Sequence, residues 1–522
     1  MKTSLLTAAL FCVIGSAAAH TPPHRPEVAS IDAAVQATIK RYQLPGIAVG
    51  VIENGRIVFA KGYGETVYGS GDPITENTLF KIASNSKAMT ASLLARLVQQ
   101  GKLRWDDPVI KHLPDFAMHD PWVTQHMTVS DLLVHNSGLP QGGGDLMFWP
   151  EPNLFTRSDI LHGLRYFKPA YEFRSGYAYD NLLYVVAGMV AEAVGGASYE
   201  TLMQREVFTP LALHGCKVGA FALKDAGSVA QPHGMDAGKV VPTRADDAEV
   251  AALASAPAGG IRCTLSDMLV WANNFLAPTE AQKVWLEDRQ RAELWKARTI
   301  MPISQQKKQW DNTHFYAYAY GFRLADVDGQ WTVSHTGTLG GMYSMMMLLP
   351  DQKSGFVFMI NGEGDRARTV LGEVLLKLFT APEQSLGVNG YADALEKPAS
   401  KASAAQQNIP DIAKRKPVKP AHMQQWLGVW RDPWFGEVRI CPVGQQVEWR
   451  SAKSPKMHGR ISTLDGRYVL VWDDEGVDEN PWLNFSGEGA TRQLHMAKIN
   501  PDGDWSSDYE DFAFTRIGEC EN

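Results

Sequence analysis

The strongest constraint on the fold is the placement of the β-strand signals, which lie in two groups far apart in the chain. Residues 47–52 and 56–60 are β-prone runs joined through Glu53-Asn54-Gly55. Asn-Gly supplies the positive φ angles of a tight turn, so this segment is predicted to be a hairpin. Within the first 382 residues, extended segments return at 331–334, 343–349 and 356–360. From about Thr90 to Pro257 the pattern is mainly helical with long loops. An isolated hairpin is marginal in water. The distant strands are therefore expected to complete one sheet, with a helical subdomain inserted and a helix over 367–379 closing the unit. The fold class is α/β (α+β).

The 522 residues allow two or three domains. Residues 383–420 carry Pro398, Pro410, Pro417 and Pro420 among Ala, Ser, Gln and Lys, and read as a linker after a first domain over 27–382. Residues 421–522 are strand-like, rich in turn residues, and hold seven of the fifteen tryptophans. A small all-β, barrel-like domain is expected there, its tryptophans filling the core rather than lining a pocket.

Net charge is −7 with both signs interspersed, and no basic stripe or reader motif points to nucleic acid. Met1-Lys2, an apolar run over 5–15 and Ala17-Ala18-Ala19 read as a signal peptide over 1–19. The run is too short for a stable membrane anchor, and a periplasmic or secreted protein is expected. Cys216, Cys263, Cys441 and Cys520 allow three full pairings. A Cys441–Cys520 bridge suits an oxidising compartment, and four free buried thiols stand equally beside it. No Cys/His spacing suggests a metal, and oligomeric state is not readable.

Three short elements carry chemistry. In Ser84-Asn85-Ser86-Lys87 the lysine lies one helical turn beyond the serine and can bring its amine to that hydroxyl. The following run, ended by Gly101, is a good helix former, so Ser84 is expected at a helix N-terminus, where free N–H groups stabilise negative charge. Tyr179-x-Asn181, before a helical run over 182–193, offers a phenol and an amide. An ammonium beside that phenol would stabilise its phenolate and let it relay the serine proton. His335-Thr336-Gly337-Thr338 ends a strand, and its glycine would let a substrate backbone lie along the edge. The Thr338 and Ser84 N–H groups would then form an oxyanion hole.

In this order the three elements resemble the penicillin-binding-protein and serine β-lactamase family, specifically its class C β-lactamase, D-aminopeptidase and esterase branch. Segments 132–140 and 257–264 are similar to further landmarks of that family, and residues 421–522 resemble its lipocalin-like appended domain. The resemblance implies a β-lactamase/transpeptidase-like fold, an antiparallel sheet flanked by helices. It implies Ser84 as nucleophile, Lys87 as activating partner and Tyr179 as base or relay, the choice between the last two staying open. Asn181, Gly337, Thr338 and Gln141 become candidate substrate or oxyanion contacts, and no cofactor is needed. His335, the remaining catalytic candidate, stands where β-lactamases carry lysine. A largely neutral histidine is less suited to a substrate carboxylate than a fixed cation. The expectation is therefore an exported hydrolase of peptides or amides, including those with D-residues, or of small esters. A true class C β-lactamase and a penicillin-binding protein without turnover are the alternatives.

Overall fold

The computed structural model describes residues 25–397, 409–474, 476–477 and 479–520; the expected signal peptide lies outside them. Asn54 and Gly55 both take positive φ, 46° and 73°, and join strands Gly46–Glu53 and Arg56–Gly64. Ser354–Ile360 pairs with the first of these, Ile47 opposite Ile360. The sheet continues antiparallel through Met342–Leu349, Gln330–Leu339, Arg323–Val327, Tyr316–Tyr318 and Thr299–Ile300. The two distant groups of strand signals thus form one sheet, and three short strands extend it.

Alternate residues of the Gly46–Glu53 strand enter different cores. Ile47, Val49 and Val51 pack with helices Val28–Tyr42 and Asp365–Thr380, whereas Ala48 and Ile52 face the helical side. Helices Ser86–Gln99 and Leu182–Gly195 are buried at the centre of that second layer. The near-continuous apolar run of Leu182–Gly195 suits a helix surrounded by protein rather than one lying on a surface.

The linker expected over 383–420 begins with a helix instead, Gly387–Glu396. Val388, Tyr391 and Ala392 recur at helical spacing and are buried in the core shared with helices Val28–Tyr42 and Asp365–Thr380. Arg41 pairs with Asp393 and Glu396 at 3.0 and 2.6 Å. Residues 398–408 lie outside the described part, and Lys416–Pro417 already pairs with a barrel strand.

The C-terminal unit is a closed eight-stranded antiparallel barrel running from Gly428–Asp432 to Phe514–Gly518, with last strand paired to first. Closure removes the exposed edges. Trp430, Trp449, Trp472 and Phe514 are buried in it, as core filling predicts, whereas Trp505 is 40% exposed and departs from that expectation. Both disulfides form, Cys216–Cys263 and Cys441–Cys520. The barrel does not hang free: Phe435 meets Phe155, and Trp434 meets Phe167, at ring separations of 5.4 and 4.9 Å.

Candidate active site

Strand Leu79–Lys81 delivers the chain to a tight turn in which Ala83 takes a left-handed φ of 49°. A single 3-10 turn, Ala83–Asn85, then leads into helix Ser86–Gln99. A non-glycine residue in this region is strained and persists because its surroundings hold it. Ile82 N–H donates to Ile261 O, Ser86 Oγ accepts from Ile261 N–H, and Ser344 Oγ donates to Ile82 O at 2.7 Å. Gly337 faces the same turn. A Cβ there would lie 2.2 Å from Ile82 O and 2.3 Å from Ser344 Oγ. The glycine expected to admit substrate therefore first admits the nucleophile turn.

Lys87 is fully buried. Its Nζ donates to Ser84 Oγ at 3.1 Å, Asn181 Oδ1 at 2.7 Å and Ala258 O at 2.8 Å, one acceptor for each proton of an ammonium. The 257–264 segment earns its place here: Pro257 O accepts from Thr90, and Ala258 O from Lys87. The same ammonium lies 4.9 Å from the Tyr179 ring centroid. Ser84 and Tyr179 are both partly exposed, so the cluster opens to solvent.

Asn181 donates its amide to both oxygens of Asp145, at 3.1 and 2.9 Å. Asp145 is fully buried, and burial pushes its carboxyl up to about 7. Gln141, the candidate contact from this loop, is exposed and makes none of these bonds; Asp145, four residues on, is the loop's member of the cluster.

His335 is buried and faces away from bulk solvent. A carbonyl only accepts, so the 2.7 Å contact to Thr336 O places the ring proton on Nδ1. Nε2 then accepts from Tyr318 OH at 2.8 Å. Burial, Arg323 and Lys87 hold its pKa well below the usual range, so the ring is neutral. Arg323 meanwhile donates to Thr336 Oγ1 at 2.7 Å, placing a fixed cation beside the strand. Arg368 donates to Gly337 O and to Thr338 Oγ1, each at 2.6 Å, and Thr338 is exposed. Beyond Ser334 this strand has, among the described residues, no strand partner on the Arg323–Val327 side, leaving an edge along which an extended group can lie.

The barrel reaches the cluster. Trp505 stands edge-on to Tyr179 at 6.0 Å and packs on Gly142. Asp508 accepts from the N–H groups of Gly144 and Leu146. Asp145, Tyr318, Arg323, Arg368, Trp505 and Asp508 carry no local motif. Only tertiary placement assembles them.

This sheet, helical layer and serine–lysine turn define a serine-hydrolase fold of the β-lactamase/transpeptidase type. A family model described as Beta-lactamase matches residues 31–378, and the chain belongs to that family. It is 26% identical over 427 residues to the unguisins hydrolase of Aspergillus campestris (strain IBT 28561), covering 78% of this chain and 76% of that protein. The octameric penicillin-binding protein homologue from Pyrococcus abyssi superposes with a TM-score of 0.57 at 18% identity, over 94% of this chain and 100% of that one. A class C β-lactamase gives 0.54 at 20% identity, over 67% and 95%. At these identities the two structures speak to the fold.

Proposed function

We propose that this protein is an exported serine hydrolase that forms an acyl-enzyme on Ser84 and cleaves peptides or amides, including those with D-residues, or small esters. The observation that carries the reading is the buried Lys87 ammonium held against Ser84 Oγ and Asn181 Oδ1. Asn181 Oδ1 and Ala258 O can only accept, so two of its N–H groups are directed to them and the third contact falls on Ser84 Oγ. Lys87 against Ser84 Oγ and Tyr179 beside the same amine are the two groups placed to receive the Ser84 proton and pass it to the leaving group. Ser84 attacks the carbonyl carbon, the tetrahedral intermediate expels the leaving group, and water then releases the acyl group by the reverse proton path. The oxyanion falls to the N–H groups of Ser84 and Thr338. A relative named as a hydrolase supports turnover over binding alone. Two disulfides suit an oxidising compartment and so support export.

A neutral His335 favours substrates without a terminal carboxylate. Arg323 on Thr336 Oγ1 favours a second reading, a β-lactamase whose carboxylate-binding cation comes from a neighbouring strand. Rates on nitrophenyl esters, D-alanyl anilides and a chromogenic cephalosporin, with wild type and Ser84→Ala, test both. We expect multiple turnovers of an ester or anilide, a weak cephalosporin rate and no turnover in Ser84→Ala. Cephalosporin as the best substrate would favour the second reading, and turnover surviving in Ser84→Ala would overturn both.

A further inference from the structure

We propose that Asp145 and Asp508 are positioning residues for Lys87, so that the β domain is part of the catalytic centre rather than an appendage to it. The inference rests on the serine–lysine reading above and adds a path to it from the barrel. An asparagine amide has two unlike ends. Lys87 needs the oxygen of Asn181, and that end faces it only if the NH₂ end has an acceptor on the other side. The two oxygens of Asp145 are that acceptor. With Asn181 flipped, an NH₂ group would meet the Lys87 ammonium, donor against donor, and the lysine would lose one of the contacts that aim it at Ser84.

Asp145 is itself held from outside its own domain. It sits in a turn where Gly144 takes a φ of 83°, and the N–H groups on either side of it, Gly144 and Leu146, both donate to the Asp508 carboxylate. The turn lies against the start of helix Leu182–Gly195, directly after Asn181. A Cβ on Gly144 would come within 2.5 Å of Leu182 Cδ2. Asp508 is buried, as is Asp145. A path therefore runs from the barrel loop by hydrogen bonds to the 144–146 backbone, through the covalent chain to the Asp145 carboxyl, and by hydrogen bonds on through Asn181 and Lys87 to Ser84.

The test uses the full-length protein and a short nitrophenyl ester, with kcat, KM and thermal midpoint measured for Ser84→Ala, Asp145→Ala, Asp145→Asn, Asp508→Ala and the Asp145→Ala/Asp508→Ala double variant. Asp145→Ala and Asp508→Ala should each lower kcat by roughly 10- to 100-fold with little change in KM, the scale expected of a misaligned catalytic group. Asp145→Asn keeps an oxygen for the Asn181 amide and should recover most of the rate, which a loss of packing alone would not predict. If Asp508 acts through Asp145, the double variant should be no slower than Asp145→Ala. Should Asp508→Ala fail to fold, Asp508→Asn, with one acceptor oxygen left, takes its place in the same cycle. Wild-type kcat in a folded Asp145→Ala, or losses that multiply in the double variant, would overturn the positioning role alone. Turnover in Ser84→Ala would instead overturn the nucleophile assignment on which it rests.

Discussion

At position 335 the ring is fastened on both nitrogens, one to Thr336 O and one to Tyr318 OH, with Arg323 and Lys87 nearby. Each of those cations opposes a further positive charge in a buried place, where an unpaired ion is costly. Restoring the lysine of the β-lactamases by His335→Lys should therefore not create one. The variant deprives Tyr318 OH of its acceptor and crowds a third cation toward Lys87. We expect a lower melting midpoint, ester hydrolysis reduced by about 10-fold or more, as for other lost active-site hydrogen bonds, and no gain on a cephalosporin. An unchanged midpoint with new cephalosporin turnover would show that the histidine is a specificity choice rather than an electrostatic necessity. Ser84, Lys87, Tyr179 and Asn181 were legible beforehand because each pair is close in sequence, and helical or loop spacing alone puts its members side by side. Asp145 was not. Its partner Asn181 lies 36 positions away, and nothing in Gly144-Asp145-Leu146 distinguishes a buried acceptor from an ordinary turn aspartate.

Among the elements, helix Asp365–Thr380 carries a titratable group that the chemistry does not use. Glu373 faces Asp311 from within the core, and burial, reinforced by that neighbour's charge, pushes it up to about 9. In the unfolded chain the same group titrates near 4.5. The folded state thus keeps a proton that the unfolded state releases. The stability this contributes is fully present below about 4.5 and is lost progressively as pH rises toward 9. Glu373→Gln preserves the shape and cannot ionise. Its melting midpoint should fall less steeply than wild type between neutral pH and about 9 and lie higher at the alkaline end. Parallel curves for the two proteins would mean that Glu373 does not titrate in this window. The helix itself was readable from its apolar spacing, as were the hairpin and the three later strands. The short strands Tyr316–Tyr318 and Thr299–Ile300 were not, because two or three residues hold too little pattern to separate a strand from a loop. Helix Gly387–Glu396 is obscured for a different reason: prolines on both sides give the segment a linker's composition, although Val388, Tyr391 and Ala392 have helical spacing.

For the whole molecule the question is whether the barrel shapes access to the serine, supports the first domain, or both. Its contacts divide accordingly. Trp434 and Phe435 cover Phe155 and Phe167, and Lys453 pairs with Asp159, which are supporting contacts that do not face the opening. Trp505 instead lines the opening, with its ring against Gly142 and edge-on to Tyr179 while 40% exposed. Removing that ring enlarges the mouth without touching Asp508 or the covered aromatics. Trp505→Ala should therefore keep its melting midpoint and its rate on an acetyl ester, and gain relative kcat/KM on long or branched acyl esters. A chain ending at Lys397 keeps helix Gly387–Glu396 but uncovers Phe155 and Phe167 together and loses the Asp508 carboxylate. Exposed aromatic surface of that kind drives association, so the shortened chain should be poorly soluble and inactive on every ester. An acyl-length profile unchanged in Trp505→Ala would remove the barrel from substrate selection. A soluble shortened chain with wild-type kcat would remove it from support as well.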